Sequence, residues 1–232
     1  MAGAAPSSPP PNRLFALLAA AVVVLGVGVI AVLASARGGD GPAADPTAAV
    51  EVAGDPLDPV GRTVPGGPID PTTDSAVGQR APDLTGTDFG GSTVSVTADG
   101  RFKAVHFLAH WCQHCQAEVP LLAELVAEGA VPAELDLYAV STRVDDTRPN
   151  FPPDSWLEGE ALDVPTIRDD GDDSAYRAFG AGGLPYVVIL DGDNRVVSRS
   201  HGELGTQGLA DLWTSALASS PAGDSSESGD DG

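Results

Sequence analysis

The chain has 232 residues, with 33 acidic against 12 basic side chains for a formal net charge of −21, and 2 cysteines. A surface this negative repels phosphate backbones and anionic headgroups, and no basic stripe offsets it, so nucleic acid is excluded as a partner and so is electrostatic adhesion to a membrane. Two cysteines exclude a disulfide-rich scaffold and an all-thiolate zinc site, and the single lysine, Lys103, leaves lysine chemistry one isolated candidate.

Residues 1–13 form a short N-terminus. Residues 14–34 follow as an uncharged run of 21 between Arg13 and Arg37. About 20 apolar residues suffice to cross a bilayer, and the flanking positive charge leans towards a cytoplasmic N-terminus. The run therefore predicts a single-pass anchor in the cell membrane, with the rest of the chain extracytoplasmic. Ala34-Ser35-Ala36 also fits a signal-peptide cleavage site, which would make the protein secreted; the run exceeds the usual apolar core of a signal peptide, which favours the anchor. Residues 35–80 are rich in Pro, Gly and Ala, lack aromatics, and read as a disordered spacer. Residues 221–232 form an acidic, disordered tail.

Between them, residues 81–220 carry 22 acids and 8 bases and form one foldable block. Periodicity predicts strands at 93–96 and 101–109, a helix over 112–128 and a strand at 135–141. Helical segments follow at 154–161 and 172–179. A hairpin of 186–190 with 195–200 turns around Asp191-Gly192-Asp193-Asn194, and a last amphipathic helix covers 206–218. Strands alternating with helices imply an α/β fold, a central mixed sheet flanked by helices.

The chemistry concentrates in residues 107–116, FLAHWCQHCQ. An apolar strand ends there and a helix begins at Cys112. A Cys-x-x-Cys at a helix start brings two sulfurs within disulfide range. The helix N-terminus stabilises a thiolate on the first cysteine, and the second, one turn further in, can resolve a mixed disulfide. A structural disulfide is the lesser reading, since a four-residue loop constrains little of the unfolded chain. A metal-binding or metallochaperone module would use Cys112, Cys115 and a histidine, with copper(I) or zinc the suited ions.

These residues resemble the thioredoxin superfamily, and the membrane-tethered TlpA/ResA-like thiol–disulfide oxidoreductases most closely. The likeness rests on Trp111-Cys112-x-x-Cys115, on Pro120 within the following helix, on Gly183-Leu184-Pro185 before a strand, and on Gly78-x-x-Ala81-Pro82-Asp83-Leu84 as lead-in to a short hairpin. The segment near 144–164 falls where TlpA-like proteins carry an extra strand–helix element. The resemblance implies that Cys112 is the nucleophile and Cys115 the resolving thiol, with no cofactor beyond the redox-active Cys112–Cys115 disulfide. It implies cysteine-containing protein substrates and a membrane redox partner. It also implies that Pro185 follows a cis bond and that Leu184 offers its backbone to the substrate.

Several positions depart from that family. His106 stands where thioredoxin has a buried acid, and is either a neutral buried histidine or a proton relay to Cys115. Gln113-His114 replaces Gly-Pro or Glu-Pro between the cysteines. A histidine before the second cysteine is the pattern of DsbA-type oxidants, so a lowered Cys112 pKa and a potential more oxidising than thioredoxin's are expected. Glu118 matches an acidic position that ResA-like proteins carry beside the site, or is simply an acid near the helix start. Trp111 is expected to pack beside the disulfide and His110 to sit exposed on the strand–helix turn. Proteins of the Sco type space their cysteines one residue further apart, and the Pro-x-x-x-Thr-x-x-Cys motif of peroxiredoxins is absent. The net charge predicts substrates that are neutral or basic around their cysteines.

Overall fold

The computed structural model describes residues 49–60 and 67–219. The predicted N-terminus, anchor and acidic tail lie outside the described residues, among which no helix is long and apolar enough to cross a membrane. In chain order the elements are β1 (Glu51–Ala53), β2 (Gly67–Pro68), β3 (Asp83–Thr87), β4 (Thr93–Val96), β5 (Phe102–Leu108), α1 (Gln113–Ala127), β6 (Leu135–Ser141), α2 (Pro153–Gly159), β7 (Thr166–Arg168), α3 (Ser174–Ala178), β8 (Tyr186–Leu190), β9 (Val196–His201) and α4 (Gly205–Ser219).

The six-stranded sheet runs β2-β9-β8-β5-β6-β7. Its centre, β5, lies parallel to β6, with Phe102 opposite Leu135 and Leu108 opposite Ser141, and antiparallel to β8. A strand covered on both faces is expected to be mostly apolar; β5 supplies five apolar residues of seven, with Lys103 and His106 buried among them. Because side chains alternate along a strand, Ala104 and Leu108 pack with Leu122 of α1 and with Leu209 and Trp213 of α4. Val105 and Phe107 face the other way, where Phe107 meets Phe179 at 5.3 Å and Tyr186 at 5.6 Å between ring centres. Lys103 is buried in the same strand and satisfied by the Asp99 carboxylate and the Arg101 carbonyl. The fold is thioredoxin-like α/β, with the predicted hairpin and closing helix in place.

β7 had no periodic signal, whereas α3 falls within the helical segment expected at 172–179. β7, three residues long, exists through parallel pairing of Ala139 with Thr166 and Ser141 with Arg168. The buried Asp169 carboxylate caps α3, accepting the N–H groups of Ala175 at 2.9 Å and Tyr176 at 3.2 Å, because the first turn of a helix has donors without partners.

The expected spacer over 35–80 is corrected in part, and with it the domain start at residue 81. β1 pairs antiparallel with β3, completing a second, three-stranded sheet with β4. β2 pairs with β9. Leu57, Ile69 and Ala76 are buried, and the Leu57 N–H donates to the Ala178 carbonyl at 2.9 Å. Arg199 on β9 ties the segment down: its side chain is buried against the equally buried Asp74 and donates to the Asp58 carbonyl at 2.7 Å. A few isolated apolar residues and one buried ion pair order a stretch whose composition alone would not.

Candidate active site

β5 ends at Leu108, and a turn through His110 and Trp111, closed by the Cys112 N–H donating to the Ala109 carbonyl at 3.0 Å, leads to Cys112 (φ −76°, ψ 118°), the N-cap of α1. The Cys112 carbonyl accepts the Gln116 N–H at 2.9 Å, closing the first turn. That turn places both sulfurs at the helix start. Cys112 is 9% exposed and Cys115 is fully buried, and both thiols are free. The Cys115 thiol donates to the Cys112 sulfur, and the backbone N–H groups of Cys115 and His114 add to it; together they outweigh burial and bring the Cys112 pKa down to about 6. The same hydrogen bond, with burial, pushes Cys115 far above the ordinary thiol range. One sulfur is poised as a thiolate and its neighbour holds its proton, the asymmetry that thiol exchange requires.

The Leu184–Pro185 bond is cis, and the Leu184 carbonyl oxygen lies 3.7 Å from the Cys112 sulfur. Trp111 is half-buried, packed against the core cluster that contains both cysteines, and its indole N–H donates to the Arg143 carbonyl at 2.7 Å. The His114 side chain is exposed, with Nδ1 3.3 Å from Glu203 Oε2. Pro120 lies inside α1 on its exposed side.

Two buried titratable groups share the α1 side of the sheet. His106 is 1% exposed, its ring nitrogens have no hydrogen-bond partner, and burial lowers its pKa to about 4, so it is neutral and no hydrogen bond links it to Cys115. Glu118, three residues past Cys115, lies on the same helical face. It is 1% exposed; Oε2 accepts the Leu204 N–H at 2.6 Å and Oε1 has no partner. Burial, reinforced by Glu203 and by Cys112, pushes its pKa up to about 7.

The expected exposure of His110 is corrected: it is 1% exposed. Nδ1 lies 2.7 Å from the Pro149 carbonyl and Nε2 accepts the Asp145 N–H at 3.3 Å, so the ring fastens the loop after β6 to the strand–helix turn. With both nitrogens engaged it offers no metal ligand. Among the described residues no group of three or more His, Cys, Asp or Glu side chains is gathered as a metal site.

Sequence reading missed two loops. The one after β6 brings Arg148 over the Trp111 ring, 4.3 Å from its centre. The one before α4 presents Glu203 to His114 and the Leu204 N–H to Glu118, while Gly202 donates to the Pro185 carbonyl at 2.8 Å. Neither has a local signal, because each partner lies far off in the chain.

The sequence profile of the redoxin family matches residues 76–212. Among characterised proteins, the thiol-disulfide oxidoreductase ResA of Bacillus anthracis is 25% identical over 128 residues, covering 55% of this chain and 70% of its own. ResA of Geobacillus thermodenitrificans is 28% identical over 123 residues, covering 52% and 67%. Among solved structures, a DsbF homologue from Corynebacterium diphtheriae superposes with a TM-score of 0.50 at 19% identity, over 68% of this chain and 99% of that one. At that identity the likeness concerns the fold.

Proposed function

Because the chain belongs to the redoxin family and is a ResA-like thiol–disulfide oxidoreductase of the thioredoxin superfamily, we propose that Cys112 is the nucleophile and Cys115 the resolving thiol in exchange with cysteine-containing proteins. The observation that carries this reading is the asymmetry of the pair. Cys112 reaches solvent with a pKa of about 6, whereas Cys115 is fully buried and protonated.

In the reducing direction the Cys112 thiolate attacks one sulfur of a substrate disulfide. The substrate S–S bond breaks, its other sulfur leaves as a thiolate, and a mixed disulfide forms. Cys115 then gives up its proton and attacks the Cys112 sulfur. The second substrate sulfur leaves as a thiolate, the Cys112–Cys115 disulfide forms, and two electrons have passed to the substrate. Oxidation of a substrate dithiol is the same sequence reversed. Glu118, buried on the Cys115 face with one unpartnered oxygen and a pKa of about 7, is the group we assign to exchange that proton. Leu184, beside the Cys112 sulfur, is assigned to the substrate backbone. His106 and Trp111 line the site and His114 supports the thiolate.

A low Cys112 pKa stabilises the reduced form, which favours accepting electrons. We therefore place the potential above thioredoxin's value of about −270 mV and favour the oxidising direction. The uncharged run at 14–34 supports a membrane-anchored, extracytoplasmic domain that exchanges electrons with a membrane partner. The test is a Cys115→Ala trap. Cys112 should accumulate mixed disulfides that dithiothreitol releases: diverse secreted proteins for an oxidant, apocytochromes for a reductant. A trap that gains no Cys112-dependent adducts refutes the assignment.

A further inference from the structure

The domain is acidic throughout, yet a cation stands unclaimed beside the nucleophile. Other basic side chains near the dithiol have carboxylate partners. Arg143 faces Asp173 at 4.0 Å, and His114 faces Glu203 at 3.3 Å. Arg148 has no carboxylate in ion-pairing range among the described residues; its guanidinium lies 4.3 Å from the centre of the Trp111 ring. Asp145, on the same loop, has its exposed carboxylate engaged by the Thr147 N–H at 3.0 Å and hydroxyl at 2.6 Å, and feels the Arg148 charge only through space. The loop itself is fixed from below by His110. Between Arg148 and the thiol lies a cleft of about 390 Å³ bordered by Trp111, Cys112, Gln113 and Gln116.

We propose that the Arg148–Trp111 stack is a docking subsite for a carboxylate of the substrate chain, an Asp or Glu a few residues from the substrate's reacting cysteine. Stacking holds the planar guanidinium by its face and leaves its N–H edge free for bidentate contact with a carboxylate. Holding the group in place beforehand lowers the ordering cost of that contact. The subsite revises the preference expected from net charge. Beyond a Debye length of about 8 Å the acidic domain is screened, and at contact the local cation decides. The inference rests on the exchange reading above and names the substrate feature it selects.

The test compares two peptide disulfides identical except for Glu or Lys two residues from the reacting cysteine. Their second-order rate constants with the reduced full-length protein are measured, each divided by that peptide's rate with dithiothreitol to remove the flank's effect on the sulfur. The normalised Glu-over-Lys ratio should be about fivefold in the wild type, the size of a partly exposed charge contact. It should fall towards one in Arg148→Gln and invert in Arg148→Glu; Arg148 is exposed, so neither change disturbs the core. A wild-type ratio at or below one, or a ratio unmoved in Arg148→Glu, overturns the subsite. Absence of reaction with either peptide removes the exchange reading, and the subsite with it.

Discussion

Replacing Glu118 by Gln should stabilise the protein at alkaline pH and slow its chemistry. The carboxyl titrates at about 7 in the folded state against an ordinary value of 4.5, chiefly because it is buried. Between those two values the folded state holds a proton that the unfolded chain has released. Stability therefore falls as pH rises through this window. At 1.36 kcal/mol for each pH unit between the two values, the full cost above pH 7 is about 3 kcal/mol. Glutamine keeps an oxygen for the Leu204 N–H and carries no charge. Urea unfolding of the oxidised protein, in which neither thiol titrates, should show Glu118→Gln and wild type nearly equal at pH 4.5. By pH 8 the variant should lead by about 2–3 kcal/mol. In the reduced protein the same substitution should slow resolution of the mixed disulfide by about tenfold or more, since positioned proton transfer contributes at least that much. A stability difference that does not change with pH would refute the buried-carboxyl argument, and unaltered resolution would remove Glu118 from the proton path.

Titration of the reduced protein by thiolate absorbance should give a Cys112 midpoint near 6, with Cys115 remaining protonated; a midpoint near 9 would contradict the hydrogen-bonded geometry. Equilibration against glutathione should give a potential above about −270 mV, and a value at or below it would reverse the favoured direction. Arg199→Ala leaves Asp74 buried without its partner and should cost about 3–5 kcal/mol by denaturant unfolding; a loss below 1 kcal/mol would show that the pair does not hold the N-terminal segment. A chain begun at residue 81 loses β1, β2 and the buried Leu57, Ile69 and Ala76, and should unfold at clearly lower urea than one begun at residue 45. Equal midpoints would restore the spacer reading.

The sequence by itself determined the parts governed by short-range geometry. The mostly apolar β5 reads as a central strand because both its faces are covered, and the predicted strands at 93–96, 135–141 and 186–190 coincide with β4, β6 and β8. Cys112 and Cys115 are placed by a single helical turn, so their spacing alone brings them together, and Glu118 follows on the same face. Only the tertiary structure decided the rest. Cys112 meets Leu184 across 72 residues, His114 meets Glu203 across 89, and Arg199 meets Asp74 across 125. No periodicity records such meetings, because they depend on where separate chain crossings end. The spacer was misread for the same reason: its order comes from Arg199 and from strand partners elsewhere, while its own composition argues against any. A count of charges likewise indicated the sign of the whole domain, and the fold alone set Arg148, without a carboxylate in ion-pairing range among the described residues, against the tryptophan beside the reactive sulfur.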